Sequence, residues 1–416
     1  MKILVWGINY APEATGIGPC NTALCEALQA AGHEVEMVTT FPYYPAWKKR
    51  AEDRRTLWRR DVCHGVTVHR CWHYVPTHVR WWRRIIHEAT FILTSLPRVL
   101  TGPRPDFIIA VSPPLLIGPA SWLASRLLGT LYVLHVQDLQ PDAAVGVGML
   151  RDDMFTRFLY AVEAFAYRHA WRLSGISRGM LAAFSSKGVP TEKQIYFPNG
   201  IRLEPPPARG AFRARQGFAA GDFLAVYSGN IGVKQGLQLL VRAARSLRNK
   251  RIRIVICGDG AQRQLIESEA AGLSNVRMLP LLSEREYREM LVDSDLAIIP
   301  QLAGSGRAFF PSKLLNPLAS GRAILSVGDA DSELARVVAD GCFGLNVQPD
   351  GAEDLAGTLD RLADDPVQLE TWGKAGRAWV EQFEQGRILA AFLGQLQSDV
   401  SGNHASTRLA ETSRSA

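Results

Sequence analysis

The sequence lacks three features by which common protein classes are recognised. None of its six cysteines belongs to a C-x-x-C pair, which argues against a zinc module, a redox dithiol or a disulfide framework and favours reduced thiols in a cytosolic protein. The five-residue apolar run that reaches Gly7 is too short for the core of a signal peptide. Residues 107–125 carry no charge but include three prolines, so we expect a buried strand, a turn and the start of a helix there rather than a transmembrane segment.

The composition is that of a globular protein. Its 416 residues are 47% hydrophobic and 21% charged, and this length predicts two or three domains, each with a core of its own. The net charge is +7, yet residues 46–104 alone carry 13 Lys and Arg against 4 Asp and Glu. The rest of the chain is therefore about neutral. A basic region confined in this way indicates one face for an anionic partner such as phosphate, nucleic acid or a lipid surface.

Strand and helix signals alternate along the chain in the order of βαβ units. Apolar runs such as KILVW and DFIIAVS are separated by helical segments, the pattern of a parallel sheet covered on both faces. The segment EPPPARG, residues 204–210, interrupts this order near the midpoint, and the order then starts again. The expected fold class is therefore α/β, with two Rossmann-like doubly wound parallel-sheet domains facing a cleft at the carboxyl ends of their strands.

The linker sets the expected domain boundaries. Residues 1–204 form the first domain and residues 211–385 the second, and we expect residues 386–400 to form a C-terminal helix that crosses back to the first domain. Residues 401–416 are polar and have no apolar period, which predicts a disordered tail.

Two loops carry residue types that suit a bound phosphate. GINYAPEATGIG follows the first strand and brings Gly16 and Gly18 to the start of a helix, where a ligand can approach the backbone and the helix N-terminus favours an anion. The loop does not match G-x-G-x-x-G, so it is weak evidence for a dehydrogenase. YSGNIGVKQG places Lys234 between a strand and a helix, where an ammonium could meet a diphosphate. The alternatives are that the glycines serve only the turn in the first loop and that Lys234 is a solvated loop lysine.

A third candidate is the segment PSKLLNPLASGRAIL. Ser312 is placed to cap a helix, Lys313 lies in the first turn and Asn316 lies one turn later. A lysine in a first turn opposes the helix dipole, which is understandable if a phosphate binds nearby. A capped surface helix is the alternative.

Taken in order, these segments resemble the family 4 glycosyltransferases of the GT-B fold, and within them the exopolysaccharide biosynthesis enzymes of the WcaI (colanic acid) type. The resemblance spans residues 2–327 and rests on GINYAPEATGIG, GHEVEMVTTFPYYPAW, LHVQDLQPDAA, FPNGI, YSGNIGVKQGLQ and PSKLLNPLASGRAIL. It implies a hexosyltransferase that moves a sugar from a nucleoside diphosphate donor with retention of configuration, with GDP-fucose as the first candidate donor. The second domain would hold the donor and the first the acceptor, and no metal or other cofactor is expected.

The resemblance also implies roles for individual residues. Lys234 corresponds to the cation on the donor diphosphate, and Gly16 and Gly18 correspond to a glycine loop facing it. His135 matches a residue placed against the donor sugar, and we expect Asp138 to bind or orient the acceptor. Without the family resemblance, the simpler interpretation of His135 and Asp138 would be two hydrogen-bonded residues at the end of a strand.

Three positions depart from the family pattern. Asn316 stands where many members have the second glutamate of a Glu-x7-Glu pair that binds the ribose, and Ala308 stands in place of the first. Asn230 replaces a common arginine. An amide accepts hydrogen bonds only through its oxygen, and the missing arginine shifts phosphate neutralisation onto Lys234 and Lys313.

The basic region includes HVRWWRRIIHEATFILTSLP, which predicts an amphipathic helix ending at Pro97. The predicted apolar face comprises Trp81, Ile85, Ala89, Ile92 and Leu96, and the neighbouring row comprises Trp82, Ile86 and Leu93. These residues are flanked by Arg80, Arg83, Arg84 and His87. Tryptophan beside arginine suits a membrane interface. We therefore expect Trp81, Trp82, Arg83 and Arg84 to hold a cytoplasmic enzyme on the inner membrane, where a polyprenyl-diphosphate-linked saccharide is the acceptor. A core-facing helix with solvated arginines is an equal alternative.

Two other functions fit parts of the sequence. A non-hydrolysing nucleotide-sugar 2-epimerase would share the architecture but would leave the Trp/Arg segment without a role. A basic nucleic-acid-binding protein would use the basic region, but its cations accompany an apolar helical stripe rather than spaced aromatic platforms. We therefore expect no nucleic-acid partner.

Overall fold

The computed structural model describes residues 1–13, 16–78, 81–146, 154–304 and 312–412. The chain divides into two compact units. One comprises Met1–Asn199 with Gly386–Ala416, and the other comprises Gly200–Gln385.

The first unit is built on an eight-stranded sheet. Its strands are β1 Lys2–Trp6, β2 Glu34–Thr40, β3 Trp58–Cys63, β4 Val66–Cys71, β5 Phe107–Ser112, β6 Leu131–Val136, β7 Arg172–Gly175 and β8 Gln194–Tyr196. They lie in the order β3-β4-β2-β1-β5-β6-β7-β8. The edge strand β3 runs antiparallel to β4, and every other neighbouring pair is parallel.

The second unit is built on a six-stranded parallel sheet. Its strands are β9 Phe223–Ser228, β10 Ile252–Cys257, β11 Val276–Leu279, β12 Leu296–Pro300, β13 Ala323–Val327 and β14 Gly344–Val347. Their order is β11-β10-β9-β12-β13-β14, so the direction of strand addition reverses between β9 and β12.

Helices connect the strands of both units. They are α1 Gly18–Ala30, α2 Trp81–Thr101, α3 Ile117–Leu128, α4 Gln140–Gly146, α5 Met154–His169, α6 Arg178–Ser186, α7 Ala211–Gln216, α8 Gln238–Ser246, α9 Arg263–Ala270, α10 Glu284–Asp293, α11 Leu315–Ala319, α12 Glu333–Asp340, α13 Ala352–Ala363, α14 Pro366–Val380 and α15 Gln385–Thr412. Short 3-10 helices comprise Thr191–Lys193, Val233–Gln235, Ser312–Leu314 and Glu381–Phe383.

These two sheets confirm the expected pair of Rossmann-like parallel-sheet domains. Helices cover both faces of the central strands, so those strands are apolar at successive positions instead of alternating. Every residue of β5, β12 and β13 is buried. The continuous apolar runs in the sequence are therefore the central strands of the two cores.

The basic region includes an edge strand that the sequence analysis does not predict, and its helix is longer than predicted. This strand is β3, whose residues alternate between exposed and half-buried, and the adjacent Arg59 and Arg60 conceal this period of two in the sequence. The sequence also predicts that α2 ends at Pro97, but α2 continues to Thr101. Proline leaves the carbonyl of Leu93 without its helical donor. Leu93 and Pro97 both lie on the exposed side of α2, where that carbonyl can bond to water.

The C-terminal helix α15 also extends beyond its predicted end. Its first part is anchored in the first unit by five buried apolar residues, Ile388, Leu389, Phe392, Leu393 and Leu396. The ring of Phe392 stacks on Phe197 at 4.0 Å. The sequence predicts disorder from residue 401, whereas α15 continues to Thr412. Propagating a helix from a packed segment adds one hydrogen bond per residue, and residues 401–412 contain no proline to stop it.

Two glycine turns follow β9 and β10 and pack directly on each other. The Gly229 amide donates a 2.9 Å hydrogen bond to the carbonyl of Cys257. A Cβ on Gly258 would lie 1.9 Å from the carbonyl oxygen of Gly229, and a Cβ on Gly260 would lie 2.4 Å from that of Ile231. Gly258 and Gly260 have φ values of 145° and 155°. Only glycine allows this backbone conformation and this close approach.

We expect Gly258→Ala to destabilise the second unit by about 3 kcal/mol or more, because the new Cβ meets the Gly229 carbonyl and the backbone is strained for alanine. Gly272→Ala is the control, since Gly272 has a φ of 82° but a Cβ added there would meet nothing within 4 Å. That substitution should cost only about 1 kcal/mol. Thermal unfolding followed by circular dichroism compares the two variants. Equal midpoints would contradict the packing of the two turns.

Candidate functional site

The predicted donor residues of the second unit meet at one edge of its sheet. In an open parallel sheet, ligands bind beyond the carboxyl ends of the strands where strand order reverses, and here that point lies between β9 and β12. Asn230 and Lys234 follow β9, whereas Lys313 and Asn316 follow β12. The fold therefore brings two distant segments of the chain to the same edge.

Lys313 is the best-defined cation at this edge. Its Nζ donates a 2.7 Å hydrogen bond to the hydroxyl of Tyr227 and lies 4.8 Å from the centre of that ring. Tyr227 in turn donates to the carbonyl of Asn230 at 2.6 Å. Burial lowers the pKa of Lys313 to about 8, and no carboxylate in the described ranges contributes to that pKa. A partly buried ammonium of this kind matches an anionic ligand such as phosphate.

The loop after β9 is held close to Lys313. Gly229 has a φ of 142°, a conformation that favours glycine, and a Cβ there would lie 2.8 Å from the Lys313 Nζ and displace the lysine. Lys234 belongs to the 3-10 helix Val233–Gln235, and its carbonyl accepts a 2.8 Å hydrogen bond from the amide of Leu302. This bond joins the loop after β9 to the segment after β12. The exposed Asn230 lies beside these residues.

Asn316 lies in α11, near a tyrosine that the sequence analysis does not identify. Burial raises the pKa of Tyr287, and a hydrogen bond with the Asn316 side chain opposes that rise. Asn316, the residue predicted at the ribose-binding position, therefore contacts α10. The predicted helix after Ser312 is a 3-10 turn followed by the five-residue α11. The Ser312 side chain and the whole of Ala308 lie outside the described part of the chain.

In the first unit, packing within the chain accounts for both predicted glycines. Gly18 begins α1, and a Cβ there would lie 2.9 Å from the carbonyl oxygen of Glu13. Gly16 has a φ of 70°, and its Cβ would lie 3.2 Å from the ring of Tyr44. Gly16 therefore places the glycine loop against the aromatic segment FPYYPAW, residues 41–47.

Glu13 is a buried carboxylate that the sequence analysis does not single out. One of its oxygens accepts hydrogen bonds from the amides of Tyr43 and Tyr44 at 2.8 and 2.9 Å. The other accepts from the Asn9 side chain at 2.7 Å. Burial raises the pKa of Glu13. Its role is to hold the aromatic segment against the glycine loop, and only the tertiary structure reveals these partners.

His135 is buried near the end of β6, with both ring nitrogens hydrogen-bonded. Its Nδ1 lies 2.9 Å from the Ser174 hydroxyl, and its Nε2 lies 2.8 Å from the side-chain nitrogen of Gln137. Because an amide nitrogen only donates, Nε2 is the acceptor and Nδ1 carries the proton. Burial lowers the pKa of His135 to about 3, so the imidazole is neutral. Gln137 is further paired with Asn199 by two 3.1 Å hydrogen bonds.

Asp138 lies just beyond β6, in the neighbourhood of Arg84 from α2. Burial acts to lower the pKa of Arg84, but the negative charges of Glu88 and Asp138 raise it. The Arg84 Nε pairs with Glu88 at 3.2 Å, and Glu88 also accepts from the Gln140 side chain at 3.1 Å. The structure thus places Asp138, a predicted catalytic residue, near Arg84, a predicted membrane residue, although the sequence analysis assigns them to separate sites.

Aromatic residues surround the same end of α2. The Tyr43 hydroxyl lies 3.1 Å from His87 Nε2, and the ring of Trp47 lies 5.3 Å from the His87 ring. His87 Nδ1 donates to the Tyr74 carbonyl at 2.6 Å, so Nε2 accepts from Tyr43. Trp47 has a φ of 50°, a left-handed conformation that is strained for a bulky residue and is often found at functional sites.

Helix α2 is amphipathic, but its exposed apolar residues belong to the neighbouring row and not to the predicted apolar face. Ile92 of the predicted face is buried, whereas Trp82, Ile86 and Leu93 of the neighbouring row are 40%, 42% and 71% exposed. The Arg83 guanidinium lies 5.0 Å from the centre of the Trp82 ring, and the side chain of Trp81 lies outside the described part. No helix in the described ranges has the length and hydropathy needed to cross a bilayer.

Comparisons with known proteins agree with this architecture. The glycosyl transferase 4-like domain model matches residues 15–200, and the glycosyl transferases group 1 model matches residues 208–379. WcaI of Escherichia coli (strain K12), named as a colanic acid biosynthesis glycosyl transferase, is 35% identical over 95% of this chain and 100% of its own length.

Two solved structures share the fold. Sucrose-phosphate synthase from Thermosynechococcus elongatus has a TM-score of 0.76 at 19% identity, covering 97% of this chain and 99% of its own. Anabaena HepE in complex with UDP-glucose has a TM-score of 0.68 at 15% identity, covering 96% and 100%. The family models and the full-length similarity to WcaI confirm the family resemblance. The chain belongs to the glycosyltransferases and has the GT-B fold.

Proposed function

We propose that this protein is a retaining glycosyltransferase of exopolysaccharide biosynthesis. It takes a sugar from a nucleoside diphosphate donor on the second unit and transfers it to a lipid-linked saccharide on the first. The observation that carries the proposal is Lys313, a partly buried ammonium beside the glycine turn of Gly229. The name of WcaI, which refers to colanic acid biosynthesis, and the UDP-glucose complex of HepE support the pathway and the donor class.

The donor diphosphate is matched by the two lysines at the edge of the second sheet. The Lys313 ammonium has three protons, of which Tyr227 takes one, so two remain for phosphate oxygens. Lys234, in the loop tied to the end of β12, adds a second positive charge. The glycine turns leave room for a phosphate near the backbone. These cations stabilise the negative charge that grows on the diphosphate as the sugar leaves.

The acceptor is held by the first unit, at the carboxyl end of β6. Asp138 orients the acceptor hydroxyl, and Arg84, half-exposed and close to Asp138, faces the acceptor diphosphate. In a retaining reaction the departing phosphate takes the acceptor proton, so no side chain needs to act as a base. The neutral, doubly hydrogen-bonded His135 suits a positioning role.

The exposed apolar row of α2 brings the first unit to the lipid that carries the acceptor. Trp82, Ile86 and Leu93 are apolar groups at helical spacing on a surface that also presents Arg83. Such a row inserts into the interface of a bilayer while its cations meet anionic headgroups. We therefore propose an enzyme bound peripherally to the cytoplasmic face of the inner membrane.

A thermal-shift panel of nucleoside diphosphates and sugar nucleotides, including GDP-fucose and UDP-glucose, tests the donor site first, since a ligand of the folded state raises its apparent stability. A transfer assay with a polyprenyl-diphosphate-linked saccharide then tests the reaction, and NMR of the product reports the anomeric configuration. Epimerised sugar nucleotide formed without acceptor would instead identify a 2-epimerase. Salt-sensitive nucleic-acid binding without any sugar-nucleotide binding would overturn both enzyme assignments.

Lys313→Met should weaken binding of the donor nucleotide at least tenfold, because two charge-assisted hydrogen bonds are lost. Lys250→Met, which removes an exposed lysine of the same unit, is the matched control. Since the pKa of Lys313 is about 8, wild-type affinity should also decline as the pH rises from 7 to 9 and the ammonium loses its proton. Calorimetric titration measures both effects. Unchanged affinity in Lys313→Met would remove this lysine from the site.

Trp82→Glu combined with Ile86→Glu should release the protein from anionic vesicles, because carboxylates replace the two apolar groups that enter the interface. The control pair is Leu345→Glu with Val367→Glu, which alters two exposed apolar residues of the second unit. Sedimentation with vesicles gives the bound fraction, and nucleotide titration checks that the site is intact. Membrane binding that survives in the α2 variant would contradict this orientation.

A further inference from the structure

A basic groove lies on the outside of the first unit, between β3 and the C-terminal half of α2. It has a volume of about 300 Å³ and is lined by Trp58, Arg59, Arg60, His69, Arg70 and Arg98. Four of these six residues are arginines. None of them belongs to the donor or acceptor sites described above, so the groove needs an explanation of its own.

Two of the arginines are neutralised within the protein. Asp61 accepts hydrogen bonds from Arg59 at 2.9 Å and from Arg70 at 2.7 Å. Arg59 also pairs with the buried Asp53 at 2.5 Å. Because Arg59 and Arg70 lie opposite each other in the β3–β4 pair, these carboxylates offset the repulsion between like charges. Arg59 and Arg70 therefore shape the groove without adding much free charge.

Of the other two arginines, Arg98 lies near a carboxylate and Arg60, among the described residues, does not. Arg98 Nη2 lies 3.0 Å from His69 Nε2 and 3.9 Å from a carboxylate oxygen of Glu36, and Glu36 also contacts His69 at 3.1 Å. Arg60 lies opposite His69 and is exposed. No carboxylate of the described ranges forms an ion pair with Arg60. This side of the groove thus has two guanidinium groups against one carboxylate, leaving one positive charge in excess.

The rim of the groove is apolar. Trp58 and Val62, on one face of β3, are 51% and 71% exposed. The Trp58 indole donates a 2.9 Å hydrogen bond to the carbonyl of Thr94 in α2, in the helical turn that also bears the exposed Leu93. A soluble anion has no apolar group to place against these rim side chains. A phosphate attached to acyl chains has such groups, and the rim side chains then lie in the interface of the bilayer.

The groove also borders a layer of helices that presents no exposed carboxylate in the described part of the chain. Helices α2 and α5 each contain one acidic residue, Glu88 and Glu163, and both are buried. Helix α3 contains no acidic residue. Helix α3 packs against both α2 and α5. The exposed large apolar residues of α3 and α5 are Leu123, Leu127, Met154 and Phe158. The absence of exposed carboxylates on the described residues of these three helices suits contact with an anionic membrane.

We propose that this groove binds the phosphate of an anionic phospholipid headgroup, with Arg60 and Arg98 as donors and Trp58, Val62 and Leu93 at the level of the headgroups. The inference rests on the proposed membrane-bound function and adds to it a defined site for the headgroup phosphate, whose donors lie outside the exposed row of α2. Apolar insertion of α2 supplies attachment to the bilayer, and the groove supplies charge recognition through guanidinium–phosphate hydrogen bonds.

The test uses the full-length protein and vesicles of phosphatidylcholine with and without phosphatidylglycerol. Arg60→Gln combined with Arg98→Gln should weaken binding to the anionic vesicles at least tenfold and abolish the preference for them, while nucleotide binding stays unchanged. Arg60→Gln alone keeps Arg98 beside Glu36 and should give a smaller loss in a fully folded protein. Arg242→Gln with Arg248→Gln makes the same change in charge at exposed positions of the second unit and should have no effect.

Retention of the lipid preference in the Arg60/Arg98 variant would overturn the groove assignment alone, provided that the wild type binds vesicles. Failure of the wild type to bind any vesicle would overturn both the groove and the membrane part of the proposed function. Inorganic phosphate that binds the wild type but not the Arg60/Arg98 variant, while both proteins bind anionic vesicles equally well, would identify a site for free phosphate and would overturn the lipid assignment.

Discussion

Parallel pairing delivers the carboxyl ends of the paired strands to one edge of the sheet, and both candidate sites depend on this constraint. In the second unit it brings Tyr227, at the end of β9, to Lys313, which follows β12. In the first unit it brings the aromatic segment after β2 to the glycine loop after β1, where Glu13 joins them. Each site therefore combines groups that lie far apart in the sequence but emerge side by side.

The two cores and the segments that bear the sites could be predicted from sequence, because buried parallel strands appear as uninterrupted apolar runs and the glycine- and lysine-bearing loops follow them directly. Individual contacts could not be predicted in this way. The bond from Lys313 to Tyr227, the capture of two backbone amides by Glu13 and the contact of Gly258 with Gly229 all join different segments. Local patterns carry no information about such partners.

Helix α2 shows why a cluster of neighbouring cations cannot be assigned one role from sequence. Successive residues of a helix point about 100° apart, so Arg83 and Arg84 meet different surroundings. Arg83 lies over the exposed Trp82, whereas Arg84 pairs with Glu88 near Asp138. One turn of helix thus links the proposed membrane surface to the proposed acceptor site. This proximity suits a lipid-linked acceptor, whose diphosphate lies just above the bilayer.

The central claim is that the edge of the second sheet binds the diphosphate of a sugar nucleotide. Hydrogen–deuterium exchange of the full-length protein, with and without saturating nucleoside diphosphate, tests it directly because the method reports which backbone segments a ligand protects. The account predicts slower exchange in residues 229–236, 258–262 and 312–316. Protection confined to other segments, with no change in these three, would contradict it.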